Sequence, residues 1–155
     1  MLLAVDCGNT NIVFALYDGD IQRANWRISN DPKRCADEYL VWLAQLMSLK
    51  SLAVDDVTDM IIASVVPEVQ PKLINLASRG FGIVPQVVGD SGIDLGIDIH
   101  IDRPDQAGAD RLVNAVAARD FHDLPAIILD FGTATTLDLI GKGGAYQGGI
   151  IAPGV

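Results

Sequence analysis

The feature that most constrains this chain is a turn that occurs twice. Laying the segment from Leu2 over the segment from Ala126 aligns Asp6 with Asp130, Gly8 with Gly132 and Gly19 with Gly143. Both copies read strand, Asp-x-Gly-[Asn/Thr], strand, glycine turn. Two short apolar strands match by chance often; a matched Asp-x-Gly between them is rarer, so the chain reads as a duplication. If the first copy fills the distance between the two turns, the second runs out at Val155 before it is complete. Gly149 to Val155 look like the middle of a motif. The chain is therefore expected to be a fragment, with one domain over residues 1–120 and the first strands of a second over 121–155.

Apolar runs at 2–5 and 12–17, an Asp18-Gly19 hairpin signal and a third run at 21–28 predict an antiparallel meander. Asp31-Pro32 reads as a helix start, with Tyr39, Leu43, Leu46 and Met47 at helical spacing up to about Leu49. A strand at 60–66, a helix at 69–78 stopped by Gly80 and a strand at 82–88 follow. Residues 89–106 read as a loop with one short strand. A second amphipathic helix spans 107–121 through Leu112, Val113, Val116 and Ala117, and strands follow at 126–129 and 135–140. Antiparallel strands first, then strands interleaved with helices, make an α/β fold: a mixed sheet with flanking helices.

Half the residues are hydrophobic and a fifth are charged, as in a soluble globular protein. Lys and Arg number 11 against 20 Asp and Glu, a net charge of −9, which argues against nucleic acid as a partner. No apolar run approaches the roughly 18–20 residues of a membrane span, and MLLAVDCGNT lacks the basic start of a signal peptide. Cys7 and Cys35 have no CxxC spacing and read as reduced thiols of a cytoplasmic chain. His100 and His122 are isolated and offer no zinc spacing.

The turn Asp6-Cys7-Gly8-Asn9-Thr10 suits phosphate: Gly lets the backbone approach closely, and Asn and Thr add donors. Asp6 would repel a phosphate directly, so its chemical role would be to hold hydrated Mg²⁺. Taken alone, the turn fits a simple tight hairpin equally well. The second turn, Asp130-Phe131-Gly132-Thr133-Ala134-Thr135-Thr136, makes the pair far more specific, since two such hairpins facing one another would clamp a nucleotide's phosphates. Asp110 opens a helix, where the macrodipole favours a carboxylate by about 0.3–1 kcal/mol; that alone accounts for an isolated Asp. The functional reading is a carboxylate base beside a substrate hydroxyl, with Arg111 as anion anchor.

Taken together, Asp6-Cys7-Gly8-Asn9-Thr10-Asn11, then Gly108-Ala109-Asp110-Arg111, then Asp130-Phe131-Gly132-Thr133-Ala134-Thr135-Thr136, and the closing Gly148-Gly149-Ile150-Ile151-Ala152-Pro153-Gly154 closely resemble the motifs of type III pantothenate kinases, in the same order. These belong to the acetate and sugar kinase, heat-shock 70 and actin superfamily. The resemblance implies a duplicated ribonuclease H-like (actin-like ATPase) fold, here with the second copy truncated. It implies a cytoplasmic homodimer that phosphorylates pantothenate from ATP, the first step of coenzyme A synthesis. Carried over, Asp6, Cys7, Gly8, Asn9, Thr10, Asn11, Ile12 and Val13 form an ATP-phosphate loop, with Asp6 holding Mg²⁺ directly or through water. Gly108, Ala109, Asp110 and Arg111 contact pantothenate, with Asp110 as proton acceptor. Asp130 binds a monovalent cation, K⁺ or NH₄⁺, and Thr133 binds the nucleotide. One departure is Ile101, where the family often has an aromatic residue.

Two other classes remain open on the residues alone. One is a non-catalytic accessory relative acting through protein–protein contact; the acidic charge argues against its touching DNA, and the intact Asp110 argues for catalysis. The other is an ATP-dependent interaction module, which a pantothenate-dependent ADP assay separates from the kinase.

Overall fold

A computed structural model describes residues 1–154 of the chain. The chain packs as two compact units, one over Met1–Val87 and one from Val88 onward. In the first, β1 (Leu2–Cys7), β2 (Asn11–Asp18) and β3 (Ile21–Ser29) form the meander the apolar runs predict. Gly19 supplies the left-handed φ of +58° that the β2–β3 turn needs. The helix α1 (Ala36–Ser48) then leads to β4 (Asp59–Ser64), which lies parallel to β1, and a two-residue β5 (Gln86–Val87) lies parallel to β4. The sheet order is β3-β2-β1-β4-β5.

Strand alternation decides which face is buried. Leu3, Val5 and Cys7 of β1 and Ile12, Phe14 and Leu16 of β2 point one way and are essentially inaccessible, while Asp6 points the other and is exposed. Tyr39, Leu43 and Met47, one helical face of α1, close over them. Phe14 meets Tyr39 and Trp42 with ring centroids 6.0 and 5.7 Å apart.

Three local readings are corrected. The helix starts at Ala36 rather than at Asp31-Pro32. Asp31 accepts from the Lys33 N–H through its carboxylate (2.9 Å) and from the Arg34 N–H through its carbonyl (3.0 Å), so its cap closes a single separate turn before the helix. Glu38 then accepts from the Cys35 N–H at 2.7 Å and fixes the true start. Gly80 does not stop the next helix: α2 (Gln70–Asn75) widens into a π-helical turn over Leu76–Phe81 and ends at Gly82, φ +70°. A Cβ on Gly80 would come within 3.0 Å of the Leu40 side chain, so this glycine admits α1 at close range. The strand expected over 82–88 shrinks to β5.

The second unit carries α3 (Ala109–Phe121) on a three-stranded antiparallel sheet, β6 (Ala126–Phe131), β7 (Ala134–Ile140) and β8 (Tyr146–Pro153). The glycine-rich finish forms β8. Leu112, Ala115 and Ala118 of α3 pack with Ile140 and Tyr146. Half-buried Val113 and Val116 and exposed Ala117 flank that stripe rather than form it. On the sheet's other face Ile127 and Phe131 are 69% and 65% exposed. Compactness divides the chain between Val87 and Val88, whereas the repeat expected from the sequence would divide it near residue 120; α3 packs on the second sheet.

Candidate functional site

In the first unit the Asp6 turn links β1 to β2. The Gly8 N–H donates to the Asn11 carbonyl at 3.0 Å, so this amide closes the turn and is not directed at a ligand. Asn9 and Thr10 are exposed and form the outward part of the turn. Cys7 and Ile12 are buried, so only their backbone can serve the expected phosphate loop, and Asn11 and Val13 are half-buried in β2. Burial pushes the Cys7 thiol up, a Ser64 hydrogen bond pulls part of that back, and the Asp6 charge adds to the rise.

Sequence reading missed the residue that shapes this turn. Asn30, just past β3, donates its side-chain amide to the Gly8 carbonyl at 2.7 Å, and its N–H to the Thr10 carbonyl at 2.8 Å. One asparagine thereby fixes two carbonyls of the loop. No motif signals it, because the contact closes across 22 residues.

The second turn repeats the first with one change. Gly132 N–H again closes the turn, but onto the Ala134 carbonyl (3.0 Å), two residues on instead of three. Asp6 faces Val13 across its hairpin; Asp130 faces Thr136. Asp130 and Thr133 are exposed. Asp130 lines one end of a cavity of about 590 Å³ along α3 and β6, bordered also by Asn114, His122 and Ile128.

At the start of α3, Gly108 is the N-cap, Ala109 is buried, and Asp110 is half-buried with its carboxylate 2.7 Å from the Arg111 N–H. Arg111 runs back to β7, where its Nε donates to Asp138 Oδ1 at 2.7 Å and its Nη2 donates to the same oxygen. Asp138 is 1% exposed. Tyr146 of β8 donates its O–H to that oxygen at 2.8 Å, and the guanidinium lies 5.8 Å from the centroid of its ring. Burial opposes the Arg111 charge, but the Asp138 hydrogen bonds and charge outweigh it and hold the guanidinium pKa above its ordinary value. Tyr146 is pushed up to about 12, first by burial and then by its bond to Asp138. Neither Asp138 nor Tyr146 stands out in the sequence.

Gly108 to Arg111, Asp130 and Thr133 thus lie in the second unit and Asp6 to Val13 in the first. Among the described residues no three acidic, His or Cys side chains gather into a metal cage. A magnesium ion that keeps most of its waters needs only one or two protein carboxylates, and exposed Asp6 is a carboxylate of that kind. Among the described residues no helix is long and apolar enough to cross a membrane.

The sequence profile of type III pantothenate kinases matches residues 2–155. The chain belongs to that family. It is 55% identical over 155 residues to the type III pantothenate kinases of Paramagnetospirillum magneticum and Rhodospirillum rubrum, covering all of this chain and 60% of each relative. To that of Maricaulis maris it is 51% identical, again over 60% of the relative. The chain thus spans about 60% of the length of the curated relatives it matches.

Among solved structures, the ethanolamine utilization protein EutJ of Carboxydothermus hydrogenoformans superposes with a TM-score of 0.54 at 16% identity, over 98% of this chain and 51% of its own. A putative N-acetylglucosamine kinase of Porphyromonas gingivalis gives 0.52 at 12% identity, over 97% and 47%. These likenesses show the fold: the actin-like, ribonuclease H-like mixed sheet with flanking helices.

Proposed function

We propose that the full-length protein phosphorylates pantothenate to 4'-phosphopantothenate from ATP, as a cytoplasmic homodimer of the duplicated fold, with repeat domains over 1–120 and from 121 onward. The observation that carries this reading is the placement of Asp110 at the start of α3 beside Arg111, whose guanidinium is held by Asp138, in a chain that matches the family from residue 2 to 155.

Phosphoryl transfer to an alcohol needs alignment and charge neutralisation more than covalent help. Asp110 accepts the proton of the substrate hydroxyl as that oxygen bonds to the γ-phosphorus of ATP and the bond from that phosphorus to the departing ADP oxygen breaks. Arg111 meets an anionic group. The Asp6 turn, shaped by Asn30, receives the donor's phosphates through Asn9 and Thr10, while Asp6 carries the divalent ion and Asp130 the monovalent one. Bound ATP supplies the phosphoryl group, and Mg²⁺ offsets its charge.

The test is pantothenate-dependent ADP release by the full-length protein. Asp110→Asn is expected to lower kcat by about 10²–10⁴, the scale of one acid–base group, with nucleotide binding retained. An unchanged kcat leaves Asp110 as a helix-start residue only. The 155-residue chain alone, lacking what the relatives have in their remaining length, is expected to give no turnover in the same assay.

A further inference from the structure

Three features of the second unit converge on one guanidinium. Asp138 is a buried carboxylate whose Oδ1 takes every hydrogen bond it receives, from Arg111 and Tyr146, while its Oδ2 is buried without a partner among the described residues. Tyr146 is itself fixed: its N–H donates to the Asp98 carbonyl at 2.9 Å and its carbonyl accepts from the His100 N–H at 2.8 Å. Gly149, opposite Asp138 in the β7–β8 ladder, has no side chain where one would collide. A Cβ there would overlap the Leu137 carbonyl and come within 2.5 Å of Arg111 Nη2 and Asp138 Oδ1. A buried carboxylate that spends its contacts on one arginine and one tyrosine is costly to keep unless that geometry is used.

We propose that Asp138 is the positioning residue for Arg111. Tyr146 fixes Asp138, and Gly149 leaves the space that the pair occupies. Nε and Nη2 face Asp138, so Nη1, which has no hydrogen-bond partner among the described residues, is the edge presented to a ligand. The guanidinium is planar and donates through a fixed fork. Locking one side of the fork orients the other, and the ordering cost is met in folding instead of in binding. The ligand group is an anionic oxygen. This rests on the kinase reading above, and two sources fit: the substrate's carboxylate, or the phosphoryl group in transfer.

The experiment combines a spectroscopic and a kinetic readout on the full-length protein. In ¹⁵N spectra, wild type is expected to show a slowly exchanging arginine Nε–H, assigned to Arg111 by its loss in Arg111→Lys and released to fast exchange in Asp138→Asn. Absence of that resonance in wild type overturns the proposal, whether or not pantothenate is a substrate. In kinetics, Asp138→Asn is expected to mimic Arg111→Lys, and the double variant to cost no more than either alone. A rise in KM for pantothenate of roughly 10–100-fold at constant kcat, absent with the uncharged alcohol analogue pantothenol, identifies the carboxylate. A fall in kcat of the same size at constant KM identifies the phosphoryl group. Wild-type turnover with neither change in Asp138→Asn overturns the positioning role and leaves the kinase reading standing. No wild-type turnover of pantothenate overturns the kinase reading, and the Nε–H signal then decides the positioning claim. Should Asp138→Asn fail to fold, Tyr146→Phe reads the same lock: faster Nε–H exchange supports it, and exchange equal to wild type refutes it.

Discussion

Residues with the same chemistry behave differently here because of what surrounds them. Cys35 is exposed, whereas Cys7 is buried and its thiol pKa is raised by that burial. Alkylation with iodoacetamide followed by mass mapping should label Cys35 in minutes and leave Cys7 unlabelled until denaturant is added, because the thiolate is the reactive form. Rapid labelling of Cys7 in the native chain would mean that β1 opens locally. The two repeat carboxylates differ as well: Asp6 faces Val13, and Asp130 faces Thr136 beside the α3 cavity. Asp130→Ala is expected to abolish activation by K⁺ and raise KM for ATP, with Na⁺ a poor substitute in wild type. Exchange of K⁺ for Na⁺ at fixed ionic strength checks this, and equal rates in the two salts would leave Asp130 a turn residue.

At the level of elements, the sequence was most legible where a period repeats over several residues. The meander and the buried stripe of α1 were readable from apolar spacing, and Tyr39, Leu43 and Met47 are the residues that α1 buries. Leu43→Ala should therefore lower stability by about 2–5 kcal/mol, while Val41→Ala, at a side chain 58% exposed, should stay within about 0.5 kcal/mol. Urea denaturation measures both, and equal costs would mean that α1 is rotated from its stated face. Boundaries were less legible because local turn chemistry and close packing decide them. Asp31 caps only an isolated turn at Lys33 while Glu38 fixes the helix start at Ala36, and Gly80 serves the approach of Leu40 instead of ending a helix. Within the site, the motif turns and the start of α3 could be read as adjacent residues. Asn30, Asp138 and Tyr146 could not, since each acts on a partner that only folding brings near.

For the molecule as a whole, three raised acid groups set an alkaline limit. Tyr146 moves from 10.0 to about 12, and burial also raises Tyr39 and Cys7. Above their ordinary values the unfolded chain has lost protons that the folded chain still binds, so stability falls as pH rises. Tyr146 alone accounts for roughly 2–3 kcal/mol lost between about pH 10 and 12. Denaturant midpoints at pH 8 and pH 11 should show the drop, and Tyr146→Phe should shrink it; a midpoint constant over that range would contradict the burial of these groups.

The contiguity of the first unit bears on how the protein is made. Its five-stranded sheet is drawn wholly from Met1–Val87, and even the amino terminus is used, the Met1 ammonium donating to the Asp56 carbonyl at 2.7 Å. A ribosome adding ~5–20 residues per second releases this whole unit several seconds before β6 to β8 have emerged. The Asp6 turn and its Asn30 clamp can thus be set during synthesis, leaving fewer apolar surfaces for chaperones to shield at any one moment.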